Sequence, residues 1–292
     1  MMSKIRDLEN GKICNYFFFF PGNMHKAQLY SSANALQTRD AAAALSLYRD
    51  AMSWPDECDV LDVGCGSGDV TSQLLLPALK SYSSLTGVDV SQQMVKYAMS
   101  KYQQPNVTFR YLDIVAPDFR PRDLFPRGFH KVFSFYCLHW ISDQKLAFSN
   151  LSELLLPGGE LLVVFLASAP LFTIYERLAK DSTWSRYMKD VSKFVSPYQH
   201  VANPEDELKS HLLDSGLQVK DCKCILQHFS YPSAVALKNA IKAVNPFLDR
   251  IPKDQQEDYL NDYIFEYGDM GYINNDGTIA ANYKVLVAFA AK

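Results

Sequence analysis

Three glycines stand at alternate positions directly after an apolar run, within the sequence VLDVGCGSG at 60–68. Gly64, Gly66 and Gly68 allow the backbone to turn sharply and a ligand to lie against it, because glycine has no Cβ. The apolar run is typical of a buried strand, and the residues after the glycines are typical of a helix. Since ligands of open α/β sheets lie at the carboxyl ends of the strands, the sequence predicts a small-molecule site at this loop.

Acidic residues around the loop distinguish between two kinds of cofactor. Asp62 lies two residues before the first glycine, where its carboxylate can face a cation. Asp69 stands where a dinucleotide-binding GxGxxG sequence has its third glycine, and a carboxylate at the start of a helix repels a pyrophosphate. S-adenosylmethionine carries an ammonium and a sulfonium and no phosphate, so the loop favours this cofactor. A nicotinamide-dependent reductase is the disfavoured alternative.

Two further predicted strands end in acidic residues. Asp89 ends the second one, next to Val90, where a carboxylate can accept hydrogen bonds from both hydroxyls of a ribose. Asp113 and Ile114 end the third one and are expected to flank the adenine. A solvated or capping aspartate is the alternative reading in both places.

The fourth predicted strand ends in the aromatic sequence FSFYCLHW at 133–140. Trp140 offers an indole N–H donor and a large apolar face, for a substrate or for the core. His139 can be a general base or a packed, hydrogen-bonded histidine, and the residues leave both readings open. The aromatic faces of Phe135 and Tyr136 can attract a sulfonium by cation–π interaction.

Alternating strands and helices from about residue 24 to 168 predict an α/β fold, a Rossmann-like, doubly wound parallel sheet. The sequence LPGG at 156–159 is expected to stop a helix before the fifth strand, 161–166. After residue 168 helical patterns prevail, apart from a strand near 217–230 and a last strand over 283–290. With no repeat or low-complexity linker, we expect a single domain over 24–292. Its predicted parts are a core at about 55–168, an inserted helical substrate lid at about 169–200 and a C-terminal part at 201–292.

The composition excludes several other functions. The chain has 292 residues and a formal net charge of -3, so no basic excess points to nucleic acid. Its six cysteines form no CxxC pair, which predicts neither a metal site nor a disulfide framework. The run YFFFF at 16–20 is too short for a membrane span or a signal-peptide core, so a cytoplasmic protein is expected. Residues 1–23 are expected to be a non-essential extension. The oligomeric state stays open.

The glycine loop, Asp89 and the strand ends, taken in this order, resemble class I S-adenosylmethionine-dependent methyltransferases over most of residues 55–168. The chain is also similar to the insect juvenile hormone acid O-methyltransferase family over nearly all of 24–292. The segments that carry this likeness are 28–40, 134–140, 165–168, 194–197, 245–248 and the last strand. The resemblance implies a seven-stranded sheet with an antiparallel last strand. It also implies esterification of juvenile hormone acid and/or farnesoic acid, in juvenile hormone biosynthesis.

The resemblance further implies that Gln37 and Trp140 hold the carboxylate of the substrate. An amide NH2 and an indole N–H can bind a carboxylate without a full positive charge, which leaves it nucleophilic. A long apolar tunnel for a terpenoid tail is expected, with Tyr30, Tyr136, Trp184 and Met188 among its substrate contacts. The alternatives are a methyltransferase for fatty acids or another isoprenoid acid, and a ligand-binding relative without turnover.

Overall fold

The computed structural model describes residues 27–292, so the expected extension over 1–23 lies outside the described residues. Within this range the strands form one sheet of seven, in the order β3-β2-β1-β4-β5-β7-β6. β1 to β5 are parallel, and β7 runs antiparallel to both of its neighbours. This confirms the predicted sheet and its antiparallel last strand. The strands are β1 Asp59–Val63, β2 Ser84–Asp89, β3 Val107–Tyr111, β4 Phe129–Phe135, β5 Leu155–Ser168, β6 Gln218–Tyr231 and β7 Ile279–Ala291.

Helices cover both faces of the sheet. Several begin at a side chain that accepts a hydrogen bond from the first turn, such as Ser91 from the Met94 N–H at 3.3 Å. None of the helices from Ala27 onward is long and apolar enough to cross a membrane. The helices are α1 Ala27–Ala33, α2 Ala35–Tyr48, α3 Leu76–Ala78, α4 Gln92–Lys101, α5 Pro121–Leu124, α6 Gln144–Leu154, α7 Pro170–Leu178, α8 Pro204–Asp214, α9 Ala234–Val244 and α10 Gln256–Asp269.

The central strands are buried on both faces, which explains their continuous apolar sequences. Along β5, Leu161 and Val163 belong to the apolar core on one side of the sheet, whereas Leu162 and Val164 belong to the core on the other. This alternation follows from the two-residue period of a strand. The sheet therefore separates two cores, and the strand order reverses between β1 and β4, where α/β sheets bind ligands.

The sequence LPGG does not stop a helix at the position expected for it. α6 ends at Leu154, and Leu155 already pairs with Phe129 of β4, so Pro157 and Gly158 lie within β5. Gly158 has a φ of 75°, and its N–H donates to the carbonyl oxygen of Lys292 at 2.9 Å. The proline and glycines accommodate an irregular start of the strand, where the register between β4 and β5 shifts.

Candidate active site

Three neighbouring cavities open at the carboxyl ends of β1, β2 and β4. The "large cavity", of about 400 Å³, is bounded by the glycine loop and by the ends of β2 and β3. The "loop cavity" lies on the other side of Gly64, against α1 and α2. The "apolar cavity" is enclosed by α1, α2, α7, α9, α10 and β7. Tyr30 lines all three, Gln37 lines the loop and apolar cavities, and Trp140 lines the large and apolar cavities.

Most of the predicted cofactor residues meet in the large and loop cavities. Asp89 is buried, and its two carboxylate oxygens accept hydrogen bonds from the Ser91 N–H at 2.8 Å and the Gly66 N–H at 2.9 Å. The carboxylate thus ties the glycine loop to the end of β2. The predicted residues that line the large cavity are Gly64, Gly66, Asp89, Val90, Asp113 and Ile114, and those that line the loop cavity are Asp62, Gly64 and Phe135.

The glycines of the loop serve different purposes. Gly64 and Gly66 have φ values of 77° and 54°, which L side chains rarely adopt. A Cβ on Gly64 would lie 2.2 Å from the Cβ of Cys137, whereas one on Gly66 would meet only Tyr30, at 3.7 Å. Gly68 lines none of the three cavities, because it packs against Ala98, whose Cβ would lie 2.8 Å from a Cβ at 68. Close packing on α4 therefore accounts for a glycine at this position, and its cofactor contact stays a prediction.

Gly64→Ala is expected to lower the free energy of unfolding by about 2–5 kcal/mol, since it combines a strained φ with a clash. Gly158→Ala is a matched control, because Gly158 has a φ of 75° and no atom within 4 Å of an added Cβ. The control variant is expected to lose only about 1–2 kcal/mol in the free energy of unfolding, the cost of placing an alanine at a positive φ. Urea unfolding of both variants measures the difference. Equal losses would show that Cys137 imposes no constraint on the loop.

The loop cavity has an acidic wall. Asp62 is buried, and burial raises its pKa to about 7 although Thr71 donates a hydrogen bond to it. Burial also acts on Asp69, but hydrogen bonds from Ser67 and Tyr102 outweigh it and hold the pKa of Asp69 below its usual value. A cationic group in this cavity would stabilise both carboxylates as anions. A phosphate group would be repelled.

Two amides beside this wall have polar atoms without a protein partner. The side-chain nitrogen of Asn34 and the side-chain oxygen of Gln37 are buried, and no described residue makes a hydrogen bond to either atom. Both residues line the loop cavity. A half-turn of the terminal amide would present the NH2 of Gln37 at the same place. Because buried polar atoms in folded proteins are normally paired, the two amides indicate polar groups of a ligand.

Tyr136 directly follows β4 in a strained conformation. Its φ is 57°, its N–H donates to the carbonyl oxygen of Val164 at 2.7 Å, and its hydroxyl donates to Asp40. Asp40 also accepts a hydrogen bond from the Tyr283 hydroxyl at 2.8 Å and pairs with Arg39 at 2.8 Å. These contacts hold the rings of Tyr136 and Tyr283 in the wall of the apolar cavity. A strained residue fixed in this way is typical of a functional site.

His139 and Trp140 form a short turn beside Tyr136, with ring centroids 4.8 Å apart. His139 is 2% exposed, and its Nδ1 accepts a hydrogen bond from the Leu166 N–H at 3.4 Å. Burial lowers the pKa of His139 to about 3, so the imidazole is neutral at pH 7 and a weak base. The geometry favours a wall residue over a general base.

The comparisons with known proteins agree with this geometry. A family model described as a methyltransferase domain matches residues 60–159. The juvenile hormone acid O-methyltransferases of Bombyx mori and Drosophila melanogaster are each 38% identical to the chain over 277 residues. These alignments cover 92% of the chain, 98% of the Bombyx protein and 93% of the Drosophila protein. The chain belongs to this O-methyltransferase family. It is an S-adenosylmethionine-dependent methyltransferase, as predicted.

The fold of this family member has counterparts among solved structures. The YcgJ protein of Bacillus subtilis superposes with a TM-score of 0.57 at 19% identity, covering 86% of the chain and 98% of that protein. At this identity the likeness concerns the fold alone. It agrees with the Rossmann-like sheet described above.

The cavities of this methyltransferase fit its cofactor. The carboxylate of Asp62 suits the ammonium of a methionine moiety, whereas Asp69 is already paired with Lys101 at 3.0 Å. The nitrogen of Asn34 can donate to the carboxylate of that moiety. The open space over Gly66 and the carboxylate of Asp89 suit a ribose. A dinucleotide would instead bring a pyrophosphate to this acidic loop, which makes it a poor fit.

Two predicted substrate residues lie elsewhere in this methyltransferase. Trp184 is almost fully buried, its indole N–H donates to Asp262 at 2.8 Å, and its ring packs on Tyr259. Met188 is buried as well, and neither residue lines any of the three cavities. The apolar spacing of 184–188 reflects core packing, which a sequence pattern does not distinguish from a ligand pocket. Tyr30, Tyr136, Gln37 and Trp140 are brought together as predicted.

Asn34 and Asp40 were not predicted as site residues. Asp40 follows Gln37 by three positions on α2, so the two side chains share a helix face. An aspartate beside the small residues Ala41 and Ala44 is an unusual charge on a buried face. That pattern is the signal that could have identified Asp40. Asn34 is the single residue between α1 and α2, and the sequence around it has no comparable signal.

Acidification is expected to destabilise the protein through His139. Its folded-state pKa of about 3 lies below the usual value of 6.5, so protons bind preferentially to the unfolded chain as the pH falls. This contribution is complete above pH 6.5, and about 2 kcal/mol of it is lost between pH 7 and pH 5. Urea unfolding of wild type and His139→Gln at both pH values tests it, since the variant should lose less stability. Equal pH dependence would contradict a neutral, buried His139.

Proposed function

We propose that this methyltransferase esterifies a long isoprenoid carboxylic acid, juvenile hormone acid and/or farnesoic acid, to its methyl ester. The observation that carries the proposal is the buried, unpartnered amide oxygen of Gln37 at the junction of the loop and apolar cavities. It lies in the same cavity wall as Trp140. Among the described residues that line the apolar cavity there is no lysine or arginine. An apolar acid with one carboxylate at this junction fits such a lining.

The proposed cofactor contacts follow the chemistry of the cavities. Asp89 would accept hydrogen bonds from the ribose hydroxyls, and Asp113 and Ile114 would hold the adenine, together with Val90. Asp62 would bind the ammonium, and Phe135 would contribute an aromatic face. When bound, S-adenosylmethionine would supply a methyl group on a positively charged sulfur: the bond from a carboxylate oxygen to the methyl group forms as the sulfur–methyl bond breaks, which gives a methyl ester and neutral S-adenosylhomocysteine.

The protein's contribution to this reaction is binding and orientation. A carboxylic acid has a pKa of about 4, so the substrate is already ionised at pH 7 and needs no base. The NH2 of Gln37 and the indole N–H of Trp140 orient the carboxylate without a full positive charge. The rings of Tyr30 and Tyr136 exclude water from the junction. Positioning of this kind contributes about 7–11 kcal/mol in the best cases.

The proposal is tested by incubating the full-length protein with methyl-labelled S-adenosylmethionine and a panel of acids. The panel contains farnesoic acid, juvenile hormone acid and straight-chain fatty acids of similar length. We expect label in the methyl esters of the isoprenoid acids, well above the fatty acids. Equal or greater label in the fatty acids would favour a fatty acid methyltransferase. Tight binding of the cofactor without any labelled ester would favour a ligand-binding relative without turnover.

A further inference from the structure

The wall of the apolar cavity contributed by α7, α10 and the end of β6 is rich in tyrosine. We call Tyr175, Tyr231, Tyr263 and Tyr267 the "tyrosine wall". Tyr175 and Tyr267 are only 1% and 4% exposed. The residues that α9 contributes to the cavity are all aliphatic, such as Leu237 and Ile241. A purely hydrocarbon ligand would need none of these hydroxyls.

The hydroxyls of the tyrosine wall are poorly satisfied by the protein. Tyr263 donates to the carbonyl oxygen of Leu171 over a long distance, 3.5 Å. The hydroxyls of Tyr175, Tyr231 and Tyr267 make no hydrogen bond with any described residue. Neighbouring Tyr259 differs, because its hydroxyl accepts a hydrogen bond from the Asn245 amide at 3.1 Å. Because Tyr175, Tyr231 and Tyr267 line the cavity and their hydroxyls have no protein partner among the described residues, the hydroxyls are available to a polar group inside it.

The tyrosine wall is separated from the carboxylate-binding junction. The ring centroids of Trp140 and Phe172 are 6.0 Å apart, and Tyr175 lies about one helical turn after Phe172 along α7. The ring centroids of Tyr175 and Tyr263 are 6.0 Å apart, and those of Tyr263 and Tyr267 are 5.9 Å apart. The row of rings thus leads away from Trp140. A group that meets these hydroxyls lies on the tail of the acid and not at its carboxylate.

We propose that the tyrosine wall, through the hydroxyls of Tyr175 and Tyr267, binds an uncharged acceptor oxygen on the tail of the acid, such as an epoxide or ether oxygen, and that it sets the preference among acids. The inference rests on the proposed function. Burial raises the pKa of the hydroxyls of Tyr175 and Tyr267 well above the usual range, so both remain neutral donors. A second carboxylate on the tail would find no cation among the described lining residues.

The test compares two acids that differ only in the tail oxygen, farnesoic acid and the same acid with an epoxide at its terminal double bond. For the full-length wild type we expect kcat/KM for the epoxide to be about tenfold higher, the effect of roughly one well-placed hydrogen bond. In the double variant Tyr175→Phe/Tyr267→Phe this ratio is expected to fall to about one. Tyr259→Phe is the matched control, since it removes a buried hydroxyl from the same row of rings outside the cavity, and it should keep the wild-type ratio.

The outcomes separate the inference from the proposed function. Esters formed from both acids with equal kcat/KM in wild type would overturn the inference and leave the proposed function standing. A wild-type preference that persists in the double variant would also overturn it, because another group would then bind the oxygen. Absence of ester from either acid would overturn the proposed function, and the inference with it. The wild-type comparison needs no variant, so an unstable double variant does not prevent the test.

Discussion

Replacing Asp89 by alanine is expected to weaken the binding of S-adenosylhomocysteine by about 100-fold. The carboxylate is buried at the end of β2, lines the large cavity and holds the Gly66 and Ser91 N–H groups. Hydrogen bonds to a charged group contribute about 1.5–3 kcal/mol each, and a loss of about 2.7 kcal/mol corresponds to 100-fold in Kd. The variant also leaves two buried N–H groups without an acceptor, so the shape of the glycine loop is weakened as well.

Isothermal titration calorimetry with S-adenosylhomocysteine measures this effect directly. Asp89→Asn is the matched variant, because it keeps one acceptor oxygen and nearly the same volume, and it should lose less affinity than Asp89→Ala. Thermal unfolding of both variants without ligand checks that the loop is still folded. A Kd within threefold of wild type in folded Asp89→Ala would remove Asp89 from the cofactor site.

Gln37→Glu is expected to reduce kcat/KM for the acid substrate by at least 100-fold. The side chain lies at the junction of two cavities with its amide oxygen buried and unpartnered. A glutamate there would place a negative charge against the carboxylate of the substrate, and like charges at short range cost several kcal/mol. Gln37→Met, which is neutral and of similar size, removes only the hydrogen bond and should cost about tenfold. Trp140→Phe should cost a similar factor, since it removes the second donor and keeps an aromatic face.

The assay is the initial rate of methyl ester formation over a range of acid concentrations, at saturating S-adenosylmethionine. The difference in kcat/KM between Gln37→Glu and Gln37→Met is the decisive quantity. Both variants remove the amide N–H donor, but only Gln37→Glu adds a negative charge. Equal losses in these two variants would show that no carboxylate lies beside residue 37. Full turnover of Trp140→Phe would remove the indole N–H from the mechanism.

The parts that were predictable from sequence are those set by local chemistry. Three glycines after a buried strand specify a tight loop wherever the chain folds, and Asp89 follows at the end of the next strand. The fifth and last strands, predicted over 161–166 and 283–290, lie inside the longer observed strands Leu155–Ser168 and Ile279–Ala291. The bound between α6 and β5 was misjudged, because proline and glycine at 157–158 are compatible both with a helix end and with an irregular strand start.

The features of the site that could not be predicted depend on which helix and strand faces contact each other in the folded protein. The burial of Asp40 against the hydroxyls of Tyr136 and Tyr283 joins three distant segments. Nothing local to any of them indicates this contact. Trp184 is the converse case, since its aromatic character suggested a ligand and its indole is satisfied within the core by Asp262. The sequence thus indicated which residues lie at the strand ends better than which residues of the later helices line the apolar cavity.

The position of β7 in the sheet determines the order in which the two halves of the molecule can form during synthesis. β1 to β5 pair with one another and carry the glycine loop and Asp89, so this half requires no residue beyond Ser168. β6 has no neighbour in the sheet until β7, which follows it in the chain, inserts between β5 and β6. Because Ala281 and Tyr283 of β7 line the apolar cavity, the cavity is closed only at that step. A nascent chain therefore acquires its glycine loop before its apolar cavity.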